Sequence, residues 1–283
     1  MNFINSLINL ALKEDIGTGD ITSNILIPAS QTSTAIIIAK EPGIIAGLGL
    51  IQPIYRRLSN KVKVTLKKKD GARINKDAVV AIIKGPTRAI LSGERTVLNF
   101  IQRLSGIATL TSQFVAKAKP YGVKILDTRK TVPGWRLLDK YAVKAGGGFN
   151  HRIGLYDAIL IKNNHLKNTP AIKALELVSK SPMTKNRPIE IEVTNLYEFI
   201  IALILLNANV SHPSIIMLDN MTPKEIKEAV HIRNRVAGEV RLEASGGITL
   251  KNISRFAATG VDYISIGALT HSPKALDIAL RVT

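Results

Sequence analysis

Beyond Pro120 the chain repeats one rhythm six times, a short apolar run rich in β-branched residues followed by a stretch with apolar residues three and four apart. The runs are VKILDT (123–128), DAILIK (157–162), IEIEV (189–193), IIMLDN (215–220), VRLEAS (240–245) and YISIG (263–267). Helical spacing occupies 133–144, 170–181, 196–206, 223–235 and 250–258. Strands apolar along their whole length are buried on both faces, and strand–helix alternation predicts a parallel sheet. Successive runs begin 23 to 34 residues apart, a spacing that suits an open doubly wound sheet or a closed barrel. The polar residues decide between them. Residues 127–130, Lys162, Glu192, Asp219, Ser245 with Gly246, and Gly267 each stand at or just past a strand's C-terminal end. A barrel gathers such positions into one ring, so an α/β barrel is expected.

The preceding segment lacks this rhythm. Residues 3–13 have helical spacing and precede the loop EDIGTGDIT (14–22). Strands are expected at 34–40, 62–66 and 79–84, with a helix over 48–58, which describes a small α+β unit. One or two long helices should fill 88–117, where only Gly93 and Gly106 interrupt the pattern. A last helix is expected from 273 onward. The organisation read here is an N-terminal α+β domain over 1–110, with which a C-terminal helix 273–283 can pack, and a barrel over 111–272.

Charge narrows the function. With 39 Lys and Arg against 21 Asp and Glu, the net charge of +18 asks for an anionic ligand or surface. Nucleic acid is disfavoured: aromatics make up 5%, no binding motif is present, and Lys67, Lys68 and Lys69 read as a solvent face before the Asp70-Gly71 turn. The absence of cysteine removes disulfides, thiolate nucleophiles and zinc–thiolate sites and fits a cytoplasmic protein. No run approaches the roughly 18 apolar residues of a membrane span, and the start MNFINSLINLALKED lacks the pattern of a signal peptide.

The cations concentrate between Val123 and His165, where Arg129, Lys130, His151, Arg152 and Lys162 would crowd one barrel mouth. Glu192 and Asp219 are candidates for a divalent cation, and magnesium suits two carboxylates beside phosphate-seeking cations. The competing reading pairs each with a nearby Lys or Arg. Glu190 would face the same way as Glu192, so either could serve. Ser245-Gly246-Gly247 and Ile266-Gly267-Ala268 follow the last two strands, where glycine and a downstream helix N-terminus favour a phosphate; a tight turn is the alternative. The glycines at 146–148 precede Asn150-His151-Arg152 and permit unusual backbone or close ligand approach. His165 and His271 are weaker candidates, and Trp135 is expected to pack on the helix it begins. No GxSxG elbow is present, and no GxGxxG follows a strand. Lys144 or Lys162 as a Schiff-base lysine is a rival chemistry.

The block DTRKTVPGWRLLDKYAVKAGGGFNHRIGLYDAILIKNNH, with EDIGTGDIT, ERTVLNFIQRLSGIAT, IEIEV, IIMLDN, LEASGGI and YISIGALTHS, closely resembles the quinolinate phosphoribosyltransferase family, in order and across nearly the whole chain. The resemblance implies a type II phosphoribosyltransferase fold, a seven-stranded α/β barrel with a small N-terminal α+β sandwich domain. Six strands are legible in the residues, so the seventh comes from the resemblance. It also implies a homodimer, or a higher oligomer, in which one N-terminal domain covers the partner's barrel mouth. The reaction implied joins quinolinate to 5-phosphoribosyl-1-pyrophosphate with loss of CO2, using Mg2+.

Carried over motif by motif, Arg95 reaches into the partner's site and, with Arg129, His151 and Arg152, binds the quinolinate carboxylates. Lys130 and Lys162 face phosphates and substrate carboxylate, while Glu192 and Asp219 face the ribose hydroxyls and magnesium; these four are the catalytic candidates. Thr128 also belongs to the substrate site. Ser245, Gly246 and Gly247, then Gly267 and Ala268 with His271 close by, hold the 5-phosphate. Two departures stand out: Asn163 replaces an expected Asp, and the segment 200–214 is slightly longer than expected. A related transferase-like protein of molybdenum-uptake operons is disfavoured by the intact Asn150-His151-Arg152 and LIKNNH. Glu192 and Asp219 argue against a non-catalytic anion- or nucleic-acid-binding protein.

Overall fold

The computed structural model describes residues 2–185, 187–209 and 214–283 and divides into two units. One comprises Met1–Ser112, Val132–Gly147 and Ser272–Thr283, the other Gln113–Thr131 and Gly148–His271. Among the described residues no helix is long and apolar enough to cross a membrane.

In the first unit β1 (Thr32–Ala39) buries Ala35 and Ile37 while Thr34 and Ile36 stay partly exposed, the period of two of a one-sided sheet, which ends at Ile38 and Ala39, both buried, where the register against β5 shifts. β2 (Gly43–Ile44) and β4 (Arg73–Ile74) form a separate pair, and β5 (Val79–Pro86) joins β1 to β3 (Lys63–Leu66), all antiparallel. The helices are α1 (Asn2–Ile16), α2 (Ile21–Leu26), α3 (Ile51–Leu58), α4 (Thr87–Ala118) and α5 (Arg136–Ala145), the end of α4 lying in the second unit. Asp20 caps α2 by accepting the Ser23 N–H at 2.9 Å, so the expected loop ends in a helix. α4 runs unbroken through both glycines. Gly106 is a clearance position, since a Cβ there would lie 2.1 Å from the Lys274 carbonyl oxygen. Trp135 stacks on Phe100 with ring centroids 4.7 Å apart, and the rhythm that assigns the helix after it to the barrel is corrected by packing: α5 belongs to the first unit. The C-terminal helix expected over 273–283 is also corrected. Residues Ile278–Val282 form a strand, β12 once the next six are numbered, which pairs antiparallel with β1. Alternation in IALRV satisfies an open sheet edge that a helix would leave bare.

The second unit contains β6 (Lys124–Leu126), β7 (Ile159–Ile161), β8 (Ile189–Val193), β9 (Ser214–Asp219), β10 (Arg241–Ser245) and β11 (Tyr263–Ser265), parallel throughout. Their order is β6-β11-β10-β9-β8-β7. First and last strands are neighbours, and every other neighbour is next in the chain, the cyclic order of a barrel with one seam between β6 and β7. Phe149 occupies that interval as a one-residue parallel bridge to Leu126: its N–H donates to Ile125 O at 2.8 Å, and Asp127 N–H donates to Phe149 O at 3.1 Å. The seventh strand is thus present as a single bridge. α6 (Asn163–Leu166), α7 (Ala171–Lys180), α8 (Leu196–Asn209), α9 (Pro223–Val236), α10 (Ile253–Ala257) and α11 (Ala268–His271) follow the strands in turn. Of the segment 200–214, residues 210–213 lie outside the described residues.

Candidate active site

Because the six strands are parallel, their C-terminal ends share one side, and there a cavity of about 560 Å³ opens. Thr128, Arg129 and Lys130 enter it after β6, His151 and Arg152 after the Phe149 bridge, and Lys162 after β7. Glu192 closes β8, Asp219 and Asn220 close β9, Ser245 to Gly247 follow β10, and Gly267, Ala268 and His271 follow β11. Of the barrel residues singled out from the sequence, those carried over as substrate or metal contacts line this space, whereas Glu190 and His165 do not. Nor does Arg95. It is exposed on α4 of the first unit.

The cationic wall is held from behind. Asp127, fully buried, accepts the His151 N–H at 2.9 Å, and Asp157 accepts the N–H groups of Ile153 and Gly154 at 2.7 and 2.8 Å, closing the loop after Arg152. Burial, then the charge of Arg129, pushes the Arg152 guanidinium below its ordinary range. The Nε–H of Arg129 and that of Arg152 are buried without a hydrogen-bond partner. Two buried cationic donors left unpaired are costly, and the two guanidiniums side by side on the wall favour an anionic ligand.

The opposite wall is acidic. Glu192 accepts from Lys162 Nζ at 3.1 Å on one oxygen and from Asn163 Nδ2 at 3.0 Å on the other. An amide can donate where a second carboxylate would repel. Burial, then the charge of Glu192, raises the Asp219 carboxyl above its usual range, while Asn220 Nδ2 donates to it at 2.9 Å. Hard oxygen ligands whose charges crowd one another fit a divalent cation of the magnesium type. Pairing with lysine also holds for Glu192. The residue that sequence reading missed is Asn220, which sits at φ 56°, a left-handed conformation that Asn tolerates. Gly246, at φ 97°, leaves room for it: a Cβ there would lie 2.1 Å from Asn220 Oδ1. An Asn directly after a strand ending in Asp was the available signal.

Three expectations change in detail. The helices after the two glycine loops are short, α10 beginning only at Ile253 and α11 spanning four residues, so backbone N–H groups of the loops outweigh any helix dipole. Gly146 serves packing rather than a ligand, because a Cβ there would lie 2.4 Å from Ala108 O on α4. His165 is exposed, its Nδ1 accepting the Lys162 N–H at 2.9 Å.

Glu190 and Glu192 both point into the barrel but occupy different levels, two residues apart along β8 being about 6.6 Å. Glu190 meets His151, with Nε2 to Oε2 at 3.0 Å, and Glu243 lies 3.7 Å from the same nitrogen. Contact between β8, β10 and the Phe149 segment across the interior is what a curled sheet provides. Burial, then the charge of Glu190, pushes Glu243 up to about 8, so it holds a proton at neutral pH. The folded state then binds more protons than the unfolded chain between 4.5 and about 8, and stability must fall as pH rises through that window. Urea midpoints measured at pH 5 and pH 8 are expected to drop, and Glu243→Gln to flatten the decline; an unchanged slope in the variant would count against the assignment.

Comparison with known proteins places the geometry. The model for the N-terminal domain of quinolinate phosphoribosyl transferase matches residues 20–105, and that for its C-terminal domain matches 107–281. The chain is 45% identical, over 99% of its length and 93% of the relative's, to the probable nicotinate-nucleotide pyrophosphorylase [carboxylating] of Bacillus subtilis. It is 41% identical, over 99% and 77%, to the chloroplastic nicotinate-nucleotide pyrophosphorylase [carboxylating] of Oryza sativa. Among solved structures it is similar to the nicotinate-nucleotide pyrophosphorylase of Francisella tularensis, with TM-score 0.91 and 41% identity, covering 100% of this chain and 96% of that one. The corresponding structure from Ehrlichia chaffeensis gives 0.90 and 38%, covering 98% of each chain.

Proposed function

Because the chain belongs to the quinolinate phosphoribosyl transferase family across both of its domains, we propose that the cavity at the strand ends of the second unit is where its reaction runs. The reaction is that of a carboxylating nicotinate-nucleotide pyrophosphorylase, a pentosyl transfer in NAD biosynthesis. Phosphoribosyl passes from 5-phosphoribosyl-1-pyrophosphate to quinolinate, giving nicotinate mononucleotide, pyrophosphate and CO2.

Arg129 and Arg152 hold the quinolinate carboxylates and thereby aim the ring nitrogen at carbon 1 of the ribose, braced by His151, whose ring nitrogens meet the Arg152 N–H and Glu190. The bond from carbon 1 to pyrophosphate breaks as the bond to nitrogen forms, and Lys130 and Lys162 face the charge collecting on the departing oxygens. Thr128 and the loops at Ser245, Gly246 and Gly247 and at Gly267 and Ala268, with His271, hold the phosphoribosyl group. Glu192 and Asp219 face the ribose hydroxyls. Once alkylated the ring nitrogen is cationic, so the adjacent carbon–carboxylate bond can break with its electron pair left on the ring carbon, which a proton then takes. Asp219 would hold magnesium, with Glu192 acting through water because both of its oxygens already accept N–H donors. Bound there, the ion would neutralise charge on the pyrophosphate.

The observation that carries this reading is the convergence of Arg129, Lys130, Arg152 and Lys162 with Glu192 and Asp219 around one cavity at the strand ends. Release of labelled CO2 from carboxyl-labelled quinolinate tests it. Release that needs phosphoribosyl pyrophosphate and Mg2+ together supports it, and no release from folded protein overturns it.

The exposed position of Arg95 accords with a homodimer, or a higher assembly of dimers, in which Arg95 completes the partner's site. Mixing inactive Arg95→Ala and Asp219→Asn chains is then expected to restore roughly a quarter of the wild-type sites, one per mixed dimer. Assays after denaturation and co-refolding check this; no recovery would place Arg95 outside the partner's site. The cysteine-free chain accords with the cytoplasm as its compartment.

A further inference from the structure

His151, Glu190 and Glu243, one level below the mouth, bring their ligand atoms within 4.8 Å of one another. Three such groups could hold a metal, but the histidine speaks against it. Its Nδ1 accepts the Arg152 N–H at 2.8 Å, so the ring proton sits on Nε2, the atom that faces Glu190. A metal-bound imidazole would donate through the other nitrogen instead. The cluster therefore has the connectivity of a strut.

We propose that Glu190 is a positioning residue for the quinolinate clamp, fixing the His151 ring by accepting its Nε2–H and, through the ring's Nδ1, fixing the backbone from which Arg152 reaches the substrate. The proposal rests on the reading of the mouth as the quinolinate site. Several observations support it. Glu190 is 4% exposed on a strand whose five residues are all buried, so its carboxyl is set by a rigid element. Its distance to Nε2 is 3.0 Å, against 3.7 Å for Glu243, whose two oxygens accept no hydrogen bond. Its charge also favours the cationic form of Arg152, which burial and Arg129 oppose. One residue links strand, imidazole and guanidinium. The phosphate loops after β10 and β11 have no part in that chain, so the effect should be confined to one substrate.

Calorimetric titration with quinolinate and, separately, with phosphoribosyl pyrophosphate tests this on four proteins. Wild type and Arg152→Ala come first: loss of quinolinate binding in Arg152→Ala upholds the site reading, and retention overturns that reading itself. Given that loss, Glu190→Ala is expected to weaken quinolinate at least roughly tenfold, leaving phosphoribosyl pyrophosphate within about threefold. Glu190→Gln, which keeps an acceptor at the same place, is expected to restore quinolinate to within about threefold. Unchanged quinolinate binding in Glu190→Ala, equal loss of both ligands, or failure of glutamine to rescue would each overturn the inference while leaving the site reading intact. Should Glu190→Ala not fold, imidazole 15N spectra of the wild type decide: the Nε2–H tautomer at His151 is expected, and the Nδ1–H tautomer overturns the proposal.

Discussion

Arg129→Ala is expected to abolish measurable quinolinate binding while phosphoribosyl pyrophosphate still binds. The guanidinium lies on the cationic wall of the cavity beside that of Arg152, where a substrate carboxylate is a matching acceptor. Truncating one member of a desolvated charge pair costs about 2 to 5 kcal/mol, or roughly 30-fold to several thousandfold in Kd. The larger end is expected here. Removing Arg129 leaves both the substrate's charge and the neighbouring Arg152 imperfectly matched. Phosphoribosyl pyrophosphate meets different groups, the loops after β10 and β11 and the acidic wall, and its Kd should change by no more than about threefold. Calorimetry with each ligand separates the two, and equal weakening of both would show that Arg129 acts on the whole mouth instead.

Asp219→Asn is expected to lower kcat by roughly a hundred- to a thousandfold with little loss of fold. Asp219 ends β9, partly buried, with its charge set against that of Glu192 and beside Lys130 and Lys162. Asparagine keeps the shape but removes the charge that opposes those lysines and that would attract a divalent cation. Glu192 cannot substitute, because Lys162 and Asn163 already occupy its oxygens. The Mg2+ concentration for half-maximal rate should rise in parallel, at least roughly tenfold. Steady-state kinetics across a Mg2+ series, with a thermal melt of the same preparation, read both quantities. A normal Mg2+ dependence with a low kcat would assign Asp219 to the ribose alone.

Much of this site is legible in the sequence. A strand's period and a helix's period are local properties, so the six strands from Val123 to Gly267 and the helices between them could be read from apolar spacing. In a parallel barrel every C-terminal strand end meets at one face, so Arg129, Lys162, Glu192, Asp219 and the two glycine loops could be brought together from their places along the chain. The motif from Asp127 to His165 supplied the family and with it the substrates.

Features set by long-range contact were not legible. Gly93 and Gly106 read as breakers, yet Gly106 stands where α4 passes the backbone at Lys274, a neighbour far away in sequence. The C-terminal segment became β12 because β1 offered an open edge. A helix period and a strand period are both compatible with so short a stretch, and the pairing partner chose between them. The helix after Trp135 fits the barrel rhythm but packs in the first unit. Glu190 and Glu192 were interchangeable on alternation alone, because both face inward. Only the curled sheet, which sets Glu190 against His151 and lifts Glu192 to Lys162 and Asn163, gives them different partners. The sequence by itself determined which strand ends and loops bring their residues to the mouth, since that depends on where each falls along its own strand. Tertiary structure decided what each one touches there, since a hydrogen bond or a charge shift depends on groups delivered by other strands.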